Sequence, residues 1–167
     1  IKMMNELYSE KNKISAVVLK TAYRYLSYRS RTIHEMNLYL GTKGFTDQDI
    51  SQAISHLKAH QYLDDRRFCQ QYLEYQTLYR PKSKFAYAYD LRHKGVSSAI
   101  IDNALSIYDN EKLAKAAAVK RFKQLRNHDE LKIKTKLLNY LKYRGFDYQT
   151  CMDALSAVKK DKKSDED

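Results

Sequence analysis

Few side chains in this sequence have the type and spacing that chemistry requires. His56 and His60 stand one helical turn apart, a spacing that can hold a metal ion, but no third ligand accompanies them. We therefore interpret them as a solvated pair. Asp64 and Asp65 resemble paired catalytic carboxylates. Adjacent residues of a helix do not face each other, however, and acids here suit the start of a helix.

The two cysteines add no further chemistry. Cys69 lies on an apolar stripe, and Cys151 takes a place where the repeated pattern otherwise has isoleucine, so both are predicted to be core residues. The sequence contains no CxxC pair, phosphate-binding glycine loop, HExxH or GxSxG motif. We therefore expect no enzyme activity, no cofactor and no bound metal.

The strongest chemical signal is positive charge. The chain has 31 Lys and Arg against 20 Asp and Glu, a net charge of +11. This excess indicates an acidic partner, such as nucleic acid, an acidic protein surface or a membrane face. No apolar run is long enough to cross a bilayer, and no signal-peptide pattern is present. We expect a soluble, cytoplasmic protein, and its start at Ile1 is consistent with further residues ahead.

Basic residues alternate with tyrosines in two stretches, residues 23–31 and 79–94. This mixture suits phosphate contacts combined with base stacking, as on single-stranded nucleic acid. The other interpretation is that the tyrosines fill the core while the cations face water. For any one tyrosine we favour the core, whereas for the cations as a set both interpretations stay open.

The elements that must position these residues repeat three times. Gly44, Gly95 and Gly145 each follow a lysine or arginine and lie 51 and then 50 residues apart. A period of this size is typical of helical repeat arrays. A left-handed glycine after a cation ends one helix. Two residues after each glycine stands a residue that can cap the next helix: Thr46, Ser97 and Asp147.

One proline and four glycines leave little room for turn-rich β structure. We predict an all-α fold of three tandem three-helix repeats, similar to helix-turn-helix or homeodomain units. Thr32 and Glu35 form a capping box that opens a second helix, and Pro81 suits the first turn of another. The predicted segments are 1–13 (polar), 14–63, 64–108 and 109–158 (the repeats), and 159–167 (a charged, disordered tail).

The third helix of each predicted repeat carries an apolar stripe that we predict to face the core. Acids outnumber bases on these helices, whereas most first and second helices are basic. Sequence-specific reading of a DNA groove by third helices is therefore disfavoured, because Asp47, Asp49 and Asp147 would approach phosphates. The stripe residues are Ile50, Ile54, Leu57, Ile101, Leu105, Tyr108, Cys151, Leu155 and Val158.

Candidate binding residues are the cations of first and second helices that lie away from this stripe. We expect them to line one extended surface that makes many weak, phosphate-type contacts. Its candidate members are Arg24, Arg29, Arg31, Arg80, Lys82, Lys84, Arg92, Arg121, Lys132, Lys136 and Lys142.

Three features together resemble one known family. They are the repeated glycine corner, the junction YLDDRRF at residues 62–68, and the entry RSRT to a second helix at residues 29–32. Over residues 15–158 the sequence resembles the RecX family, regulatory proteins of the bacterial RecA recombinase. Gly41, where a helix former is expected, departs from the pattern without affecting the predicted fold.

This resemblance implies an elongated crescent of repeats that acts without a cofactor and restrains RecA filaments in recombination, DNA repair and the SOS response. The implied partners are the RecA nucleoprotein filament and single-stranded or double-stranded DNA, bound by a monomer with no membrane attachment. No catalytic motif is implied. The alternative is a nonspecific DNA- or RNA-binding repeat protein that acts without RecA.

Overall fold

A computed structural model describes residues 15–125, 127 and 129–164, with side chains described up to residue 158. Over these ranges the chain forms nine α-helices and no strand, as the all-α prediction requires. The predicted polar segment 1–13 lies outside them. No described helix is long and apolar enough to cross a membrane. The helices are α1 (Ala16–Tyr28), α2 (Ile33–Thr42), α3 (Asp47–Ala59), α4 (Asp65–Tyr79), α5 (Lys84–His93), α6 (Ser98–Leu105), α7 (Asn110–Leu125), α8 (Glu130–Tyr143) and α9 (Tyr148–Ser164).

The described residues divide into two compact units. Unit 1 holds residues 15–68 and 94–96, and unit 2 holds residues 69–93 and 97–164. The division falls inside α4 rather than between the predicted repeats. The short segment 94–96 belongs to unit 1 because it packs against the start of α2, where the Thr32 hydroxyl donates to the Lys94 carbonyl at 2.6 Å.

Unit 1 is built around α1, α2 and α3, each of which contributes apolar residues to a common core. On α3, Ile50 and Leu57 are buried and Ile54 is half-buried, as the apolar stripe predicts. The buried core residues of this unit are Val18, Ala22, Met36, Leu40, Ile50, Ala53, Leu57 and Leu63.

Unit 2 packs α7, α8 and α9 against one another and α5 against α6. Small residues on α7, such as Ala114, Ala117 and Ala118, are buried and allow close approach of its neighbours. The predicted inward residues of α6 and α9 are buried, and Tyr108, predicted to face inward but lying beyond the end of α6, is half-buried. Those buried residues are Ile101, Leu105, Cys151, Leu155 and Val158.

The three glycine corners have the conformation that the sequence predicts. Gly44, Gly95 and Gly145 have φ of +80°, +77° and +84°, in the left-handed region that disfavours a β-carbon. Their packing differs. A β-carbon at Gly95 would lie 2.2 Å from the His34 Cβ, and one at Gly145 would lie 2.7 Å from the Ser83 Oγ. No atom lies within 4 Å of a β-carbon built at Gly44.

Two of the three predicted caps form. The Thr46 hydroxyl accepts from the Asp49 N–H at 3.2 Å, and the Asp147 carboxylate accepts from the Thr150 N–H at 3.0 Å. Ser97 occupies the N-cap of α6 and its carbonyl accepts from the Ile101 N–H, but its hydroxyl makes no capping bond. Because Ser97 is exposed, water can satisfy the first turn in its place.

Three local expectations need correction. The segment 159–164, predicted to be disordered, continues α9, because it contains no glycine or proline and is rich in lysine, a good helix former. Residues 165–167 lie outside the described part. Pro81 precedes α5 instead of joining its first turn, and Ser83 is the cap, accepting from the Ala86 N–H at 3.1 Å. Helix α6 ends at Leu105, whereas the sequence predicts that the third helix of the second repeat runs to about residue 108.

Candidate functional site

The residues with catalytic or metal-binding spacing make structural contacts. The His56 Nε2 lies 3.2 Å from the Tyr23 hydroxyl, and the two histidine rings stand 4.1 Å apart. His56 is half-buried, so the prediction of a solvated pair is wrong for this member. The described residues contain no group of three metal-binding side chains. Cys69 and Cys151 are buried, as predicted for core residues.

The two adjacent acids accept hydrogen bonds from the first turns of two different helices. Asp64 accepts from the N–H groups of Arg66 and Arg67 and caps its own helix, α4. Asp65 reaches α2 instead, where its Oδ1 accepts from the Ile33 N–H at 2.9 Å. Burial raises the pKa of Asp65, and the hydrogen bond from Ile33 offsets only part of that effect. These contacts explain both carboxylates without catalysis.

Arg29, a candidate contact residue, is committed to the start of α2. Its guanidinium donates to both carboxylate oxygens of Glu35, at 2.8 and 3.2 Å. Glu35 also accepts from the Thr32 N–H, which completes the predicted capping box. Burial raises the pKa of Glu35, but hydrogen bonds from Arg29 and Thr32 and the nearby positive charge outweigh it and leave the pKa below its ordinary value.

Arg31 ends an aromatic stack in unit 1. Its guanidinium lies 3.9 Å from the centre of the Tyr25 ring, and Tyr25 stacks on Tyr39 with a centroid distance of 3.8 Å and an interplanar angle of 7°. Lys43 lies over the Tyr39 ring at 5.3 Å. Cation–π contacts at both ends stabilise the stack. These two tyrosines therefore follow the core interpretation, and the Arg31 charge is partly used within the fold.

Lys82 is also used internally, in unit 2. Its Nζ lies 2.7 Å from the Asp90 Oδ2, and both side chains are half-buried. The Tyr72 hydroxyl donates to the same carboxylate oxygen at 3.1 Å. Burial and the adjacent Asp90 charge raise the pKa of Tyr72, so that it remains a donor. Lys82 thus neutralises a carboxylate and is a weak candidate for contacting a partner.

The candidate residues of the third predicted repeat fall into two groups. Arg121 is half-buried: it donates to the Gln124 side chain at 2.7 Å, and its guanidinium lies 5.5 Å from the Tyr140 ring centre. Arg144 approaches the same ring at 4.9 Å. The other candidates are exposed. The Lys132 Nζ lies 3.8 Å from the Asp129 Oδ2, and the Lys142 Nζ lies 5.5 Å from the centre of the Tyr148 ring. These exposed residues are Lys132, Lys136 and Lys142.

Two candidate arginines keep their charge available to a partner. Arg24 on α1 and Arg92 on α5 are exposed, and neither guanidinium bonds to a side chain within the described residues. Arg80 is exposed as well, and its carbonyl accepts from the Arg144 guanidinium at 3.5 Å. Lys84 is half-buried, and its backbone N–H donates to the Asn110 side chain at 2.9 Å. Arg24 belongs to unit 1 and Arg92 to unit 2. The expectation that the candidate cations line one extended surface therefore stays a prediction.

The candidate set missed a basic groove within unit 2. The groove lies between the end of α4 and α7 and has a volume of about 530 Å³. It contains four lysines and no acidic residue. The signal was present in the sequence, since the net positive charge of α7 and its lysine spacing place these side chains on the face opposite its buried alanines. The lining residues are Thr77, Leu78, Pro81, Lys112, Lys115, Ala116, Val119, Lys120 and Lys123.

Family comparison accounts for most of the chain. Residues 19–57 match the first three-helix domain of RecX, residues 64–105 the second and residues 109–155 the third. The chain belongs to the RecX family. The matches agree with three tandem three-helix domains, the fold class expected from the repeated glycine corners.

Named relatives agree with this family assignment, and a solved structure has the same fold. The RecX-family chain is 33% identical over 140 residues to the regulatory protein RecX of Prosthecochloris aestuarii, covering 84% of this chain and 92% of the relative. It is 31% identical to that of Vibrio parahaemolyticus, covering 82% and 88%. The crystal structure of RecX from Lactobacillus salivarius has a TM-score of 0.71 at 19% identity, covering 90% of this chain and 98% of that one.

Membership of the RecX family gives this chain a regulatory role. Residues that position the helices and those available to a partner are distinct in the described structure. Arg29 and Lys82 form ion pairs with carboxylates of the same chain, although the Arg29 side chain is 47% exposed, whereas Arg24 and Arg92 are exposed without such a pair within the described residues. The electrostatic candidates are therefore the exposed cations that the fold does not pair with a carboxylate.

Proposed function

We propose that this protein binds RecA filaments on single-stranded DNA and lowers their recombinase, ATPase and coprotease activities. Membership of the RecX regulatory family is the observation that carries the proposal. The exposed Arg24 and Arg92 supply charge for DNA or for acidic surfaces of the filament. A protein of this kind acts by binding and requires no catalytic residue.

The proposal is tested by measuring RecA ATPase and strand exchange at rising protein concentration with single-stranded DNA in excess. Inhibition at substoichiometric protein, while bare DNA remains available, supports a filament-directed regulator. Inhibition that begins only when the protein has covered the DNA supports direct competition and contradicts the proposal.

The second candidate function is nonspecific binding of DNA or RNA without RecA. Its support is the net charge of +11 together with exposed tyrosines beside cations, such as Tyr28 and Tyr143. Both functions predict binding to bare DNA that weakens as salt rises. They differ in the requirement for RecA, which the substoichiometric measurement detects.

A further inference from the structure

The groove between α4 and α7 combines an apolar lining with positive charge. Leu78 is 63% exposed in spite of its place in the lining, next to Ala116 and Val119. A single exposed leucine is common on protein surfaces, but a leucine that lines a groove offers an apolar contact to a segment bound there. Four of the nine lining residues are apolar, and the charged ones are all lysines.

The groove is a built feature of unit 2. The Lys120 Nζ donates to the carbonyls of Leu78 and Tyr79, at 2.7 and 3.1 Å. These bonds satisfy the last carbonyls of α4 and fix the end of that helix beside α7. On α7, the buried Leu113, Ala114, Ala117 and Ala118 hold the opposite face in the core. The lysines of the groove therefore project from a helix of fixed orientation.

We propose that this groove binds an acidic protein segment that carries one large apolar side chain. The apolar side chain covers Leu78 and Val119, and carboxylates pair with the lysines at both ends. Lys112 and Lys123 are about 16 Å apart along α7, the length of roughly five extended residues. The inference rests on the proposed function only in taking the partner to be a protein.

Charge and lining favour a peptide over nucleic acid as the occupant. Sites for single-stranded nucleic acid combine phosphate-binding cations with aromatic rings on which bases stack. Among the described residues no arginine lines this groove, and the neighbouring Tyr79, whose ring centre lies 5.5 Å from the Lys120 Nζ, is not part of the lining. Lysine beside aliphatic side chains instead suits carboxylates that flank an apolar residue, since each part of such a segment finds a complementary surface.

The test measures binding of a labelled peptide of aspartates and glutamates with one central leucine, in the absence of RecA. Changing both Lys112→Glu and Lys123→Glu should weaken binding about tenfold or more, because two attractive pairs become repulsive. The matched control is Lys20→Glu with Lys134→Glu, which makes the same change in net charge at exposed sites outside the groove. This control should change binding by less than about threefold, as screened distant charges do.

Two further measurements address the apolar contact and the location. A peptide with serine in place of leucine should bind more weakly, and Leu78→Ser in the protein should reduce the difference between the two peptides. Amide NMR shifts on adding the leucine peptide should be largest around Ala116 and Val119, which requires no variant to fold. Equal weakening by the two lysine pairs, indifference to the leucine, or shifts elsewhere would each overturn the proposal.

The same titration with a single-stranded oligonucleotide separates the two classes of partner. Shifts in the groove caused by the oligonucleotide, and displacement of the peptide by it, would assign the groove to nucleic acid and contradict the proposal. Because peptide binding is measured without RecA, its failure leaves RecA inhibition untouched. Failure to inhibit RecA likewise leaves the peptide result standing.

Discussion

The Asp65 carboxylate in the first turn of α4 accepts a hydrogen bond from the backbone N–H of Ile33, the first residue of α2, at 2.9 Å. Asn110, in the first turn of α7, accepts in the same way from the N–H of Lys84, the first residue of α5. In both places the first residue of a repeat's first helix therefore caps the second helix of the preceding repeat. The contact needs an acceptor oxygen and does not need a charge.

Replacing Asp65 separates these two requirements. Asp65→Asn keeps an acceptor, so we expect its stability near neutral pH to equal or exceed that of the wild type. The sign follows from the raised pKa: the ionised form is disfavoured in the fold, and the associated stability is lost as pH rises through the folded-state pKa. Asp65→Ala removes the acceptor and should cost about 1 kcal/mol. Urea melts of both variants check this, and equal destabilisation would show that the charge itself is needed.

Glu35 should have the opposite pH dependence. Its pKa is lowered in the fold, so its stabilisation is present above the unfolded-state pKa and is lost as pH falls through the folded-state value. Glu35→Gln should therefore cost about 1 kcal/mol near neutral pH through loss of the ion pair with Arg29 and weakening of the capping box. Thermal melts across acidic pH should show the gap between variant and wild type narrowing. A gap that stays constant would contradict this assignment.

The glycine corners should differ in sensitivity although their backbones are alike. Gly44→Ala should cost about 1 kcal/mol from its positive φ alone. Gly95→Ala and Gly145→Ala should cost about 2–4 kcal/mol, because the new β-carbon also collides with His34 or Ser83. Gly41→Ala, inside α2 with nothing within 4 Å, is the control and should be neutral or stabilising. Thermal melts of the four variants test this. Equal destabilisation at the three corners would show that the contacts with His34 and Ser83 do not add to the cost of the substitution.

Binding should depend on cations that the fold leaves exposed. Arg24→Glu, Arg92→Glu and Lys142→Glu together should abolish RecA inhibition with little change in melting temperature, since exposed charges contribute little to folding. Removing one phosphate-type interaction should lower the salt slope of DNA binding by about 1. Arg121 is unsuitable for this test, because it is half-buried against Tyr140 and its reversal would disturb packing.

The control for that triple variant is Lys20→Glu, Arg66→Glu and Lys134→Glu. These residues are exposed, lie outside the candidate set, and give the same change in net charge. Inhibition should persist in the control. Full inhibition by the first triple variant, with its helicity intact, would show that other residues bind the filament. Equal impairment of both variants would indicate a general effect of charge.

Part of the fold can be predicted from the sequence alone, because it depends on single residues and their near neighbours. The helix stops at Gly44, Gly95 and Gly145 follow from properties of single residues, because a positive φ needs no partner from elsewhere in the chain. The capping box of Thr32 and Glu35 is equally local, since both residues lie in one turn. Buried stripes on third helices follow from a spacing of three and four residues. These features determined the all-α repeat fold.

Charge and spacing could not show whether a given cation is paired within the fold or available to a partner. Arg24 and Arg29 stand close together on the same basic stretch, yet only Arg29 reaches Glu35, six residues further along the chain and beyond the turn into α2. Lys82 likewise meets Asp90, which lies eight residues further along the chain, inside α5. A cation's availability depends on which carboxylates and rings the fold brings near it, and those distances are set by packing.

The sequence by itself thus determined the presence of the helices, the helix stops at the three corner glycines, the periodic core and the basic character of this RecX-family protein, because these depend on composition and on neighbours within about one helical turn. Only the tertiary structure decided which corner glycines are packed, that Asp65 caps α2, and that lysines of α7 meet the end of α4 in a groove. These relationships join residues that are far apart in the chain. Their distances follow from how helices pack, which no local pattern specifies.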